Sequence, residues 1–98
     1  MKRRRFGKWA PSVGELITGR IIYFDNPDGS FIAVIRCKDR YWLLPREARD
    51  LFLDGRPRDG SVVTIERKAD GYCFHSAVSP EHPAYASVPL EVTANDDL

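Results

Sequence analysis

The chain has 98 residues, with 15 Lys and Arg, 14 Asp and Glu, and a formal net charge of +1. This length allows one domain with one core and excludes a second domain, and no apolar run approaches the roughly 20 residues that a membrane span requires. Two cysteines, Cys37 and Cys73, are too few for a disulfide scaffold, and no apolar signal region precedes them. We therefore expect a reduced, cytoplasmic protein with no membrane partner.

The charge is distributed unevenly along the chain. Residues 1–10 carry five bases and no acid, residues 79–98 carry four acids and no base, and the body is neutral. Terminal clusters of like charge are usually solvated and mobile. We expect a basic flexible arm over 1–10, a folded domain over 11–79 and an acidic irregular tail over 80–98.

The basic arm has two interpretations. It either confers solubility only, or its Phe6 and Trp9, which lie among the cations, contact the bases of a nucleic-acid strand while the cations contact the phosphates.

The body begins with two β-type segments joined by a strong turn signal. Residues 15–24 are rich in Ile and aromatics, and Gly19 near their middle predicts a bend or bulge. The turn at 25–29 contains Pro27, which fixes φ, and a glycine that accepts positive φ. Residues 30–36 follow directly, so the two segments predict a hairpin.

Three further strands are predicted after this hairpin. A third strand, 40–44, ends at Pro45, which removes a backbone donor. The spacing of apolar residues between Pro45 and Leu53 predicts one or two helical turns. After a loop at 54–60 dense in turn formers, residues 61–67 and 72–78 predict the fourth and fifth strands.

This order of elements predicts the fold class. Five short strands, with the first three consecutive and a helical turn before the fourth, are typical of an all-β, five-stranded OB-type Greek-key barrel. A barrel of the SH3 type fits the strand count nearly as well, but the long first strand with Gly19 inside it favours OB. We therefore predict the OB-type barrel, with a short helical turn after strand three and flexible termini.

The opening of the body resembles a cold-shock domain. Over residues 19–32, a glycine begins a strand that ends in two aromatics, Tyr23 and Phe24, and a polar turn follows. The run 29–32 stands in place of the first ribonucleoprotein motif of that family. It is one residue shorter than the family's motif, and Ser30 stands where the family has an aromatic.

Later segments resemble the same family. Residues 41–48 look like the second ribonucleoprotein motif, closest to the variant in cold-shock-like domains of exoribonucleases, where the strand ends in a proline, although the usual histidine and its neighbouring aromatic are missing. Residues 59–65 match the acid-Gly-x-x-Val start of the fourth strand, and 75–78 resemble the closing strand. The resemblance covers residues 14–79 and implies an OB-type fold that binds single-stranded nucleic acid.

Aromatic rings near the first three strands are candidates for stacking on bases. Such stacking is worth about 1–3 kcal/mol per base and tolerates any sequence. By analogy with the family, Tyr23 and Phe31 form the exposed platform, joined by Tyr41 or Trp42, with Phe24 as a further candidate. The alternative is that these rings fill the core, because a domain this small needs its aromatics for burial.

Cations beside the aromatics are candidates for phosphate contacts, and the alternative for each is a solvated surface position. The candidates are Arg20, Arg36, Lys38, Arg40, Arg46, Arg56 and Arg58.

Other chemistries have weaker support. The cysteines and histidines lack the close Cys-x-x-Cys spacing of structural zinc sites. A nucleophilic pair of Cys73 and His75 has no evident third group to orient it. No glycine-rich phosphate loop precedes a helix. We expect no enzymatic activity, no metal and no cofactor.

The leading hypothesis is a non-enzymatic protein that binds single-stranded RNA or DNA. The rival is an OB-type protein–protein interaction module within a nucleoprotein assembly, which binds at a barrel edge or at an apolar groove around Trp42, Leu43 and Leu51. The missing aromatic at Ser30 and the neutral body favour this rival. In a third possibility, the arm alone contacts nucleic acid.

Overall fold

The computed structural model describes residues 6–93. Its elements are β1 (Phe6–Lys8), β2 (Leu16–Asp25), β3 (Phe31–Cys37), β4 (Arg40–Leu43), α1 (Arg46–Arg49), a 3-10 turn (Asp50–Phe52), β5 (Val62–Lys68), β6 (Gly71–Val78), a second 3-10 turn (Tyr85–Ser87) and β7 (Glu91–Val92). The strands form one sheet of order β1-β4-β3-β2-β5-β6, and β7 pairs with β2. Over residues 6–93, no helix is long and apolar enough to span a membrane.

The all-β prediction is confirmed. The five predicted strands correspond to β2–β6, with bounds that agree within one residue, and the predicted helical turns correspond to α1 and the 3-10 turn after it. Two strands were not predicted, β1 and β7. Among the described residues β1 and β6 lie at opposite ends of the strand order without pairing, so the sheet is open.

The turn between β2 and β3 is held by polar contacts within it. The Asn26 amide donates to the Ser30 carbonyl at 2.8 Å, and Gly29 has φ +93°. The Asp28 carboxylate accepts from both the amide and the hydroxyl of Ser30, and these bonds lower the pKa of Asp28. The turn signal in the sequence therefore sets the hairpin register.

Gly19 allows β2 and β3 to approach closely. A Cβ at this position would lie 2.6 Å from the Arg36 carbonyl oxygen and 2.6 Å from Ile35 Cγ2. No side chain fits there without moving the backbone of β3. The glycine in the middle of the predicted first strand is therefore explained by strand packing.

The main core cluster lies on one side of the sheet, while Val34 and Val62 are buried on the other side. Ile17 and Ile21 of β2, Ile35 of β3, and Val63 and Ile65 of β5 are fully buried. Their alternation along each strand places them on a common face. The helical segment covers this core with Ala48 and Phe52.

The prediction of a flexible arm over residues 1–10 is wrong for the part that the structure describes. β1 pairs in parallel with β4, and the Trp9 amide donates to the Leu43 carbonyl at 3.0 Å. Trp9 is only 1% exposed and belongs to the core. Burying a large indole outweighs the tendency of neighbouring cations to remain solvated. The rest of the arm, residues 1–5, lies outside the described residues.

The tail also differs from the irregular segment predicted for residues 80–98. The Tyr85 hydroxyl donates to the Gly60 carbonyl at 2.6 Å and accepts a bond from Arg20 Nε at 2.9 Å. Residues Glu91–Val92 then pair with β2. These contacts tie the tail to the sheet up to Thr93, and residues 94–98 lie outside the described part.

Candidate functional site

One face of β2, β3 and β4 points away from the core. In the strand register, Arg20 lies opposite Arg36 and Arg36 opposite Tyr41, while Phe24 lies opposite Ile32. We call this surface the outer face. It is formed by Arg20, Ile22, Phe24, Ile32, Arg36, Tyr41 and Leu43, and Val34, which points to the same side, is fully buried between them.

One end of the outer face is apolar. Phe24 is 42% exposed and Ile32 is 39% exposed, although both belong to residue types that are usually buried. A groove of about 320 Å³ continues from Ile32 toward β1 and is also lined by Lys8 and Leu43. This end offers an exposed ring and aliphatic surface to a partner.

The other end of the outer face is cationic. Arg20 and Arg36 lie directly opposite each other on adjacent strands, and no carboxylate of residues 6–93 forms an ion pair with either. The Arg20 guanidinium lies 5.4 Å from the centre of the Tyr85 ring, and that of Arg36 lies 5.9 Å from the Tyr41 ring. Like charges directly opposite across a strand pair are destabilising. A bound anion would relieve this repulsion.

The turn between β3 and β4 adds a further cation next to this end. Lys38 is exposed and has φ +59°, a left-handed conformation that favours glycine. The described residues provide no ion-pair partner for its ammonium group. Lys38 and Asp39 form the two-residue turn between paired Cys37 and Arg40, and turns of this length use positive φ.

Tyr23 and Phe31, predicted as an exposed stacking platform, lie instead on the core side and are half-buried. Their rings are in edge-to-face contact, with centres 5.9 Å apart. The Arg56 guanidinium covers both rings at 4.4 and 4.7 Å. The Tyr23 hydroxyl donates to the Pro57 carbonyl at 2.8 Å, and burial raises the pKa of Tyr23 to about 12. These two rings follow the alternative interpretation, in which aromatics complete the core.

Tyr41 and Trp42 were alternative candidates for stacking on a base, and they lie on opposite faces of β4. Tyr41 is on the outer face, whereas half-buried Trp42 packs against the core and is covered by the Arg40 guanidinium at 4.2 Å. Leu43 is again on the outer face. The apolar groove predicted around Trp42, Leu43 and Leu51 is therefore not a single surface.

The remaining predicted cations lie away from the outer face. Arg56 forms an ion pair with Asp25 at 3.1 Å, and Arg58 forms one with Glu81. Arg46 is exposed at the start of α1. The loop arginines therefore have carboxylate partners, Asp25 and Glu81, unlike Arg20 and Arg36.

Two residues of this region were missed by the sequence analysis. Tyr85 lies within the predicted irregular tail, and nothing local signals its contact with Arg20 across 65 residues of sequence. Lys8 was assigned to the arm, and only the pairing of β1 places it beside the apolar groove.

The cysteines and histidines do not form a metal site among the described residues. Cys37 is buried, which raises the pKa of its thiol. His75 Nε2 lies 2.7 Å from a carboxylate oxygen of Glu66, and this bond lowers the pKa of Glu66. The structure thus shows that the Glu66 carboxylate lies beside His75, a contact that the sequence did not reveal.

Comparison with known proteins adds no assignment to this geometry. No protein-family model matches the chain, and no curated protein or solved structure matches it. The resemblance to cold-shock domains is therefore a prediction from the motifs alone.

Proposed function

We propose that the protein binds single-stranded nucleic acid, RNA or DNA, on the outer face and without catalysis. The main support for this proposal is the row Arg20–Arg36–Tyr41 across β2, β3 and β4. Its two facing arginines have no carboxylate partner among residues 6–93. Each lies beside an aromatic ring, Arg20 beside Tyr85 and Arg36 beside Tyr41. Phosphates are the anions of a nucleic-acid strand, and bases stack on rings and guanidinium planes.

The two ends of the outer face suit one extended ligand. Arg20 and Phe24 are four residues apart on β2, which corresponds to about 13 Å along a strand. The cationic end accommodates phosphates, and exposed Phe24 with Ile32 accommodates bases. Single-strand binders combine aromatic rings for the bases with cations for the backbone, without reading sequence.

We also infer that the sheet belongs to the OB type. The OB barrel is a partly open, five-stranded Greek key whose second and third strands form the binding face. Here β2 pairs with both β3 and β5, and α1 lies between β4 and β5. The outer face then includes the second and third strands of the OB order, β3 and β4, together with the first, β2.

A cytoplasmic location is also part of the proposal. Cys37 and Cys73 are both free thiols, as is usual for proteins of a reducing compartment.

Replacement of Phe24, the exposed ring, tests whether a base stacks on it. Phe24→Ala should leave the fold intact, because this ring is on the surface, and should weaken binding of labelled oligo-U and oligo-dT by about 1–3 kcal/mol, the worth of one stacked base. Leu53→Ala is the matched control, since Leu53 is 64% exposed and lies off the outer face. Equal affinities of the two variants in fluorescence anisotropy would refute stacking on Phe24.

The rival function, a protein-interaction module, is favoured by the apolar end alone. Phe24, Ile32 and the groove beside them would suit an apolar side chain of a partner protein. This binding would change little with salt, whereas phosphate contacts weaken steeply as salt rises. Salt dependence therefore distinguishes the two functions.

A further inference from the structure

A second concave site lies at the end of the groove, beyond Lys8 and Leu43. It is a cavity of about 510 Å³ between the start of the chain, the end of β4 and the β5–β6 hairpin. This volume falls within the roughly 300–1,000 Å³ of small-molecule sites. We call it the Tyr72 cavity.

The Tyr72 cavity combines positive charge with apolar walls. Lys8, Arg46 and Arg67 line it, and no carboxylate of the described residues does. The Arg67 guanidinium lies 5.0 Å from the centre of the Tyr72 ring and donates to the Gly71 carbonyl at 3.3 Å, so it is held in place. Lys8 and Arg46 are exposed, and neither forms an ion pair with any residue of the described part. The cavity therefore suits an anion.

The remaining wall is made of rings and aliphatic side chains. Tyr72 is half-buried, and Trp9 packs against it with ring centres 5.8 Å apart. Pro11, Leu44 and Pro45 complete the apolar lining. Such a wall suits a flat, weakly polar group held next to the anion.

We propose that the Tyr72 cavity binds a nucleoside monophosphate group, with the base against the apolar wall and the phosphate among Lys8, Arg46 and Arg67. The group is either a free nucleotide or the phosphorylated end of a strand on the outer face. Only the second source rests on the function proposed above. The phosphorylated strand end is the favoured source, because Lys8 and Leu43 line both the groove of the outer face and the Tyr72 cavity.

The first test is titration of the ¹⁵N-labelled protein with uridine monophosphate and with uridine. Trp9 lines the cavity, and its buried indole N–H has no hydrogen-bond partner among residues 6–93, whereas Trp42 does not line the cavity. The monophosphate should shift the Trp9 indole resonance in a saturable way and leave that of Trp42 in place. Uridine should bind at least about tenfold more weakly, because it lacks the charged hydrogen bonds. Equal binding of both compounds would overturn the proposal.

Variants then identify the residues that bind the monophosphate. Lys8→Ala with Arg46→Ala should weaken its binding by at least about tenfold, whereas Arg58→Ala with Lys68→Ala removes the same charge elsewhere and should not. Ala10→Trp, which fills the exposed mouth, should also abolish binding without removing a charge. Unchanged affinity in both the charge variant and the filled variant would contradict the proposal.

Oligonucleotides distinguish the two sources of the group. If the cavity takes a strand end, a 5′- or 3′-phosphorylated oligo-U should bind more tightly than the unphosphorylated strand, and Lys8→Ala with Arg46→Ala should remove only this preference. Arg36→Ala, on the outer face, should weaken both strands equally and leave the free monophosphate unaffected. A parent protein that binds the monophosphate but neither strand would count against the outer face alone and would leave the cavity proposal standing. Tighter binding of N-acetyltyrosine than of the monophosphate would instead indicate a carboxylate site and overturn the proposal.

Discussion

Lys38 has a backbone conformation that a lysine does not prefer. Its φ of +59° costs a non-glycine residue about 1–2 kcal/mol. Lys38→Gly should therefore be about 0.5–1 kcal/mol more stable to urea than Lys38→Ala, since part of the gain is offset by the greater freedom of glycine in the unfolded chain. Both variants should bind oligo-U more weakly than the parent, and by the same factor, because both lose the same charge. A glycine variant that is more stable and binds as the parent does would show that Lys38 has no role in binding.

Tyr23 provides a pH test of its half-buried position. Its pKa is raised to about 12 from an ordinary value of 10, mainly by burial, so the folded state holds this proton more tightly than the unfolded state does. The stability that this contributes is fully present below pH 10 and is lost as the pH rises toward 12. Absorbance titration of the phenolates should include a step near pH 12 that Tyr23→Phe removes. A titration of Tyr23→Phe that retains the late step would place the ring in solvent.

At the scale of elements, the close contact of β2 and β3 depends on Gly19. Gly19→Ala should destabilise the protein by about 1–3 kcal/mol, because its methyl group would overlap the Arg36 carbonyl and Ile35. Gly55→Ala is the control, since a Cβ there meets nothing within 4 Å. Equal urea midpoints for the two variants would contradict the packing of β2 on β3.

The start of the chain acts as a structural element through Trp9. Trp9→Ala should lower the free energy of unfolding by about 3–5 kcal/mol, as expected for removing a large buried ring. Val13→Ala, at a position that is 61% exposed, should change it little. A small effect of Trp9→Ala in urea titration would mean that the start of the chain does not complete the core.

The strands that the sequence predicted are those with local signals. Gly29 in its turn and the alternation around Ile21 and Ile35 depend only on neighbouring residues, and β2–β6 followed from such patterns. β1 and β7 are two or three residues long and form only through pairing with β4 and β2, which lie far away in sequence. Their formation depends on tertiary contacts that no local pattern encodes.

The candidate site was predictable by region but not by face. The analogy with the cold-shock family favoured an exposed Tyr23, with Phe24 as a further candidate, and the alternative was that these rings fill the core. The fold turns Ile21 and Tyr23 inward, because the main core cluster, which includes Ile35 of β3 and Val63 of β5, lies on that side. Phe24 is therefore the exposed ring, and the choice depended on packing across strands.

At the scale of the whole molecule, a net charge of +1 conceals an uneven surface. Salt bridges occupy Arg56 and Arg58 in the loop, while Arg20 and Arg36 have no carboxylate partner among the described residues. Local fields rather than net charge attract a ligand to a surface. The neutral body is thus compatible with a cationic binding face.

The salt dependence of strand binding tests the central claim most directly. Anisotropy of labelled oligo-U should show an affinity that falls with salt, and Arg36→Ala with Lys38→Ala should reduce the logarithmic slope by about 1.4, or about 0.7 for each phosphate that is no longer neutralised. Arg58→Ala with Lys68→Ala removes the same charge and should keep the parent slope. Binding that is independent of salt, or equal slopes in both double variants, would contradict strand binding on the outer face.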